Sequence, residues 1–435
     1  MVTPDASARP VGRLTVWQGT ALYIGAVLGT GVIALPALAA QAAGPASLLA
    51  WLALVLLSVP LAATFAALGT RYPDGGGVST YVRHAFGARA AAVVGWCFYF
   101  AVPAGAPAAG MFAGEYVAGA LGGGQGTVTA TAAALLIVVA VANGFGLTVS
   151  GRLQLVLAVL LVTLLLAAAL TTLPHVRWDN LRPFAPHGWL AVGSAAALLV
   201  WSFAGWEAIT HLAGDFRRPT RDLPRATAIA VVVVGALYLA VAAASVLVLG
   251  PAAGTTKAPL AELLALGLGL GDTVHVLAAA AALLLTLGTM NAYFAGAARL
   301  GAALGRDGAL PAWLARGSDT GEVPRRSLAV VSALSGLAVA ATAIAGVGPR
   351  PLVLLTTGSF AAVYALGTAA ALRLLPAGST ARRCAALALV AVVALLVMTG
   401  WYLFWPLIVA AGGLSYLRRR RAKDATPRTT AELRT

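Results

Sequence analysis

Twelve apolar stretches follow one another along this chain, most of them close to the length that crosses a bilayer core. They fall at residues 15–40, 46–69, 89–120, 127–145, 149–172, 188–212, 225–249, 273–298, 327–346, 350–373, 384–400 and 403–417. Hydrocarbon offers no hydrogen bonds, so a spanning segment must satisfy its own backbone, and a helix does so without an exposed edge. The pattern predicts an all-α integral membrane protein with about 12 transmembrane helices. Composition agrees: of 435 residues, 60% are hydrophobic and 10% charged. A soluble fold of this size would need far more polar surface.

The net charge of +15 invites a nucleic-acid reading, which the distribution of charge removes. With the N-terminus in the cytoplasm, only Arg177, Arg182, Lys257 and Arg350 of the 29 basic residues fall on the outer side. That asymmetry is the positive-inside pattern of a polytopic protein, with both termini cytoplasmic. Residues 1–14 form an N-terminal tail, and Arg9 and Arg13 precede a segment too long for a cleaved signal peptide. Residues 418–435 form a basic tail, expected to be disordered beyond Tyr416 and drawn to anionic lipid. An outer loop occupies 173–187, and Ala258–Leu270 is expected to form a short amphipathic helix capping the outer surface. Cys97 and Cys384 lie in apolar segments, so neither a disulfide framework nor a metal site is expected, and no cofactor.

Within the first segment, Gly25, Gly29 and Gly31 weaken a helix where lipid demands a strong one. A break there survives only if it lines protein or a polar cavity. Its two half-helix ends offer N–H groups to a carboxylate and carbonyls to an ammonium. The sixth segment has a similar weak point in Trp201-Ser202-Phe203-Ala204-Gly205-Trp206-Glu207. Two weakened helices five apart are the signature of two inverted five-helix repeats, here 15–172 and 188–373, followed by helices 11–12 at 384–417.

Glu115 and Glu207 are the acidic residues inside apolar spans. Glu115 is placed to reach the outer interface, whereas Glu207 lies deeper and needs partners. Glu207 either accepts hydrogen bonds from backbone freed at the breaks or carries a proton during transport. Trp201, Phe203 and Trp206 are candidate cavity walls. Thr286, Thr289 and Asn291 could line the cavity or coordinate a cation, with hydrogen bonding inside the bundle as the plainer reading. His211 is expected to be solvated.

These residues resemble motifs of the amino acid–polyamine–organocation superfamily. Gly25–Gly31 with Val32 and Pro36 is similar to its helix 1 substrate motif, and Trp201–Glu207 to its helix 6 motif, especially that of the arginine/agmatine antiporter. Tyr72-Pro73-Asp74-Gly75-Gly76-Gly77 with Tyr81 resembles the signature between helices 2 and 3, and Arg299, Arg306-Asp307-Gly308 and Pro311 the one after helix 8. The loops His211–Pro219 and Arg221–Ala226 look most like those of bacterial methionine/branched-chain amino acid exporters. The resemblance implies a LeuT-like 5+5 inverted repeat with broken helices 1 and 6, in a bacterial inner membrane. It implies that backbone at Gly29-Thr30-Gly31 holds a substrate carboxylate, that carbonyls near Ala26, Val27, Ser202 and Ala204 face the ammonium, and that Trp201 corresponds to an aromatic that covers a cationic side chain in the arginine antiporter. Phe203 and Gly205 complete the expected substrate-binding set, with Glu207 as proton carrier or site support. At the start of helix 5, marked by Asn143, Gly146, Arg152 and Gln154, several relatives carry a lysine where this chain has Thr148.

The expected function is secondary active transport of neutral apolar L-amino acids of the methionine, leucine, isoleucine and valine class. Export in exchange for protons is the first reading; a proton-driven uptake permease or an obligate exchanger is the second. A non-transporting amino acid sensor is the alternative of another class. An enzyme would need clustered nucleophile, acid and base or metal ligands, and two isolated buried acids do not supply them.

Overall fold

The structure is a computed structural model describing residues 14–72, 77–147, 151–207, 213, 216–269, 271–317 and 323–425. Its helices are α1 (Val16–Val27), α2 (Gly31–Ala43), α3 (Ser47–Arg71), α4 (Val78–Phe86), α5 (Ala88–Leu121), α6 (Gln125–Gly144), α7 (Gly151–Thr171) and α8 (Leu190–Leu199). There follow α9 (Pro219–Leu249), α10 (Pro259–Leu268), α11 (Asp272–Arg306), α12 (Arg325–Ala345), α13 (Arg350–Leu374), α14 (Thr380–Met398) and α15 (Phe404–Ala425). Short 3₁₀ turns link several of them, and no β-strand occurs among the described residues.

Each of the twelve apolar stretches contains a helix. The first holds two, α1 and α2, and the sixth holds α8 followed by a 3₁₀ turn over Val200–Phe203. α4 and α10 are the short additions. α4 lies in the predicted connector after α3 and buries Val78, Tyr81 and Val82 on one side. α10 forms within the segment expected to be an amphipathic helix; it buries Leu260, Ala261, Leu263 and Leu264, but its exposed positions are Leu266 and Leu268 rather than polar residues.

α5 runs through the middle of the bundle against α6, α11 and α13. Its small residues allow this, because backbones of membrane helices approach closely only where side chains are small. A Cβ on Gly114 would lie 2.7 Å from the Val128 carbonyl oxygen of α6, and one on Gly110 would lie 3.1 Å from Ala132 Cα. At the periphery α6, α12, α14 and α15 turn Ile137, Val138, Leu337, Ile344, Val390 and Ile408 outward, all more than half exposed. In water such a belt would be a liability; against acyl chains it is the solvent-facing surface.

The end of the bundle rich in Arg is tied by local contacts. Arg83 of α4 faces Asp307 at 3.5 Å, joining the two connectors singled out by motif, and Arg373 lies 4.5 Å over the Phe86 ring. Both members of the ion pair are more than half exposed, so it fixes geometry more than it stabilises. The tail departs from expectation. α15 continues as helix to Ala425 rather than ending in disorder at Tyr416. Trp96 of α5 supports it, stacking on Tyr416 at 6.3 Å and donating its indole N–H to the Ala309 carbonyl at 2.7 Å. A long apolar helix carries its polar continuation with it, since propagating a formed helix is far easier than starting one.

Candidate functional site

α1 ends at Val27, and the chain turns through Leu28 and Gly29 before α2 starts at Gly31. Gly29 N–H reaches back only to the Val27 carbonyl, at 2.8 Å, and α2 has no side-chain cap at Thr30. The first N–H groups of α2 are therefore donors with no partner in the helix, at the positive end of its dipole. The second break opposes the first. After Phe203 the backbone is extended at Ala204, and Gly205 takes φ +128°, a conformation that glycine adopts without strain. A Cβ on Gly205 would stand 2.7 Å from the Ala26 carbonyl oxygen and 3.1 Å from Val27 Cα. Glycine here lets the two broken backbones touch.

Three buried side chains hold the breaks open. Glu207 Oε2 accepts the Gly205 N–H at 3.0 Å and the hydroxyl proton of Tyr364 from α13. Tyr238 of α9 points its hydroxyl at two carbonyls, Val27 at 2.7 Å and Ser202 at 3.0 Å, one from each break. Packing fixes both tyrosines: Tyr238 against Trp51 at 5.2 Å, Tyr364 against Phe65 at 5.5 Å. Tyr238→Phe removes a hydroxyl shared by two freed carbonyls. We expect it to lower binding affinity about tenfold, measured by equilibrium binding, because each buried polar group left unmatched costs about 1–3 kcal/mol.

Between the breaks lies a concave, largely apolar cavity of the kind that small molecules occupy. Ala26, Val27, Gly29, Thr30, Gly31, Trp201, Ser202 and Ala204 line it, so eight residues expected from sequence converge there. Gly205 backs the wall without lining it, and Glu207 lies beneath. Trp206 is not a wall: it is 1% exposed and packs on Tyr23 at 5.7 Å. The backbone of Phe203 closes the 3₁₀ turn; its side chain lies outside the described residues, as do His211 and Thr148 and the side chains of Arg152 and Gln154.

The remaining walls come from α5 (Ala101, Val102, Gly105, Ala106, Ala109), α11 (Thr289, Met290, Tyr293) and α13 (Thr356, Phe360). Sequence reasoning missed α5 and α13, whose small residues read as packing. Of the α11 candidates, Thr289 lines the cavity, while Asn291 bonds to Asn143 and to the Leu147 carbonyl. Thr286 is fully buried away from it. Trp201 forms a roof on the side toward Arg350: it meets Phe112 edge-on at 5.7 Å, and a Cβ on Gly31 would lie 2.5 Å from its Cδ1. On the opposite side Phe360 meets Phe98 at 5.7 Å.

Among the described residues, the cavity lining contains no charged side chain. Opposite charges of a bound molecule would be met by backbone: N–H groups opening α2 and the Ser202 carbonyl, which keeps a lone pair beside its tyrosine bond, whereas the Val27 carbonyl already accepts from both Gly29 and Tyr238. Ser202 Oγ adds a buried hydroxyl with no hydrogen-bond partner among the described residues. Apolar and aromatic surface encloses the rest.

Two broken helices joined back to back around an uncharged chamber inside a membrane bundle define a carrier. The chain belongs to the amino acid permease family, whose model matches residues 14–431. It is 34% identical over 409 residues to the uncharacterized amino acid permease YecA of Bacillus subtilis, covering 94% of this chain and 96% of that one. Over 228 residues it is 38% identical to the L-methionine/branched-chain amino acid exporter YjeH of Escherichia coli, covering 52% of this chain and 54% of that one. A third relative, the branched-chain amino acid permease BcaP of B. subtilis, is 26% identical over 249 residues, or 54% of its length.

Proposed function

We propose that this permease carries neutral apolar L-amino acids, of the methionine, leucine, isoleucine and valine class, out of the cell in exchange for protons. The observation that carries the substrate reading is the cavity itself: backbone poles for an amino and a carboxylate group, and an uncharged, largely apolar wall for the side chain. A cationic or anionic side chain would enter it unpaired, at a cost of several kcal/mol. The names of the E. coli and B. subtilis relatives agree with that side-chain class, one as an exporter and one as a permease. Uptake is therefore the second reading.

The basic end faces the cytoplasm of a bacterial cell by the positive-inside rule. Trp201 and Phe112 then form the outer gate and Phe98 and Phe360 the inner one. Alternating access follows if the helices bearing the breaks rock against the remainder, with α1–α7 and α8–α13 as two inverted halves. Proton entry supplies drive of about 2.3 kcal/mol per charge at 100 mV.

Glu207 is the candidate proton carrier, since it bonds directly to the Gly205 backbone at the second break. Glutamine keeps one acceptor oxygen for Gly205 or Tyr364 but cannot ionise. Glu207→Gln is expected to retain binding within about tenfold and to lose acceleration by an imposed pH gradient. Efflux of labelled leucine or methionine from proteoliposomes, in sodium and in sodium-free buffer, tests both statements. Acceleration by outside acid without sodium supports proton exchange; a dependence on external amino acid alone makes the protein an obligate exchanger. Binding without movement makes it a sensor.

A further inference from the structure

Beyond the Trp201–Phe112 gate the bundle opens into a second cavity, with Phe112 on its wall. Beside it lies a third. Glu115, Thr255, Thr256 and Lys257 line both and so form the partition between them. Within the partition Glu115 Oε2 stands 3.5 Å from Lys257 Nζ. The partners are unequal. The Glu115 side chain is 11% exposed and the Lys257 side chain 63%.

Glu115 sits on α5, three residues beyond Phe112, and a carboxylate so enclosed is costly without a cation. Lys257 sits in the connector before α10, with its stem in water. A half-exposed pair of this kind is weak and exchanges readily. Glu262 lines the neighbouring cavity and offers the displaced lysine a second carboxylate. Any cation that replaces Lys257 must approach through the vestibule and match a primary ammonium in size and charge. Arg350 lines the same vestibule and supplies a cation for an accompanying carboxylate.

We propose that Glu115 is a transient docking point for the ammonium group of a zwitterionic amino acid crossing the outer vestibule, with Lys257 as the tethered competitor that holds the carboxylate when the vestibule is empty. The exchange replaces one ammonium by another, so the enclosed carboxylate stays paired throughout. The proposal rests on the amino acid reading of the central cavity and extends it to the path outward.

Opposite signs in two variants test it. Proteoliposomes of one orientation give KM for leucine at the outer and inner faces separately. Glu115→Gln is expected to raise the outer KM about threefold, and Lys257→Gln to lower it by a similar factor, the size typical of a partly exposed ion pair. Inner KM should not move in either. If the pair only ties α10 to α5, both variants break the same tie and shift together; a shift of the same sign, or no shift in Lys257→Gln, overturns the proposal. Lys257 is exposed, so that variant keeps the test open should Glu115→Gln fail to fold. Wild-type protein that carries no leucine in either direction would overturn the amino acid reading, and this proposal with it.

Discussion

Gly29→Val is expected to weaken amino acid binding on the order of a hundredfold while leaving the fold intact. Among the described residues, its chain neighbours apart, no atom lies within 4 Å of where a Cβ on Gly29 would stand, and the residue lines the central cavity, so an isopropyl group projects into it. Its backbone φ is not in the left-handed region, so valine meets no strain there. The loss comes from occupied volume beside the donors of α2. Overpacking of about 2–3 kcal/mol corresponds to roughly 30- to 150-fold in affinity. Isothermal titration or scintillation-proximity binding reads the loss, and a thermal melt within a degree or two of wild type confirms that the site alone has changed. Retained affinity would remove Gly29 from the binding surface.

Gly205→Ala fails for a different reason. Its φ of +128° is one that L side chains rarely adopt, and the added Cβ would press on backbone, 2.7 Å from the Ala26 carbonyl oxygen. Strain of this kind costs about 1–3 kcal/mol before any clash. Backbone on the far side cannot swing away as a side chain can, so the two breaks must separate. Transport should fall at least about a hundredfold, and the melting temperature should drop as well, because the Gly205 N–H and the Glu207 carboxylate lose their registration. A melt unchanged in Gly205→Ala would show that the breaks do not bear on each other as closely as the distances require. The contrast separates a residue that lines the chamber from one that lets the chamber form.

Both glycines were legible in the sequence, and the reason is local. Glycine in a membrane helix more often serves close packing, but three within seven residues, or one beside a buried carboxylate, mark a local weak point. Glu207 was legible on the same grounds, as was the alternative that it serves the freed backbone. What the sequence did not reveal depends on which helix faces which. Tyr238 and Tyr364 are isolated tyrosines in long apolar runs, and only the crossing of α9 and α13 with the breaks aims their hydroxyls at Val27, Ser202 and Glu207. A buried tyrosine needs a partner for its hydroxyl, so their presence was a signal without an address. Trp206 misled because an aromatic beside a break can face the chamber or the core, and one residue of rotation decides. Ala101, Gly105 and Ala109 belong to a small-residue face whose composition suits a neighbouring helix as well as a cavity. The helical tail was missed because charge was read as a stop, although a helix already formed through Phe404–Leu417 extends into its polar end at little cost.

Competition binding on purified wild-type protein tests the central claim most directly. Labelled leucine or methionine would be displaced in turn by excess leucine, isoleucine, valine, methionine, arginine and glutamate. An uncharged chamber between backbone poles predicts displacement by the four neutral apolar amino acids within about 10- to 200-fold of one another. Arginine and glutamate should compete far more weakly, since either would bury an unpaired charge. Arginine or glutamate displacing the label as well as leucine does would contradict the account, because no side chain lining the chamber could then explain what holds it.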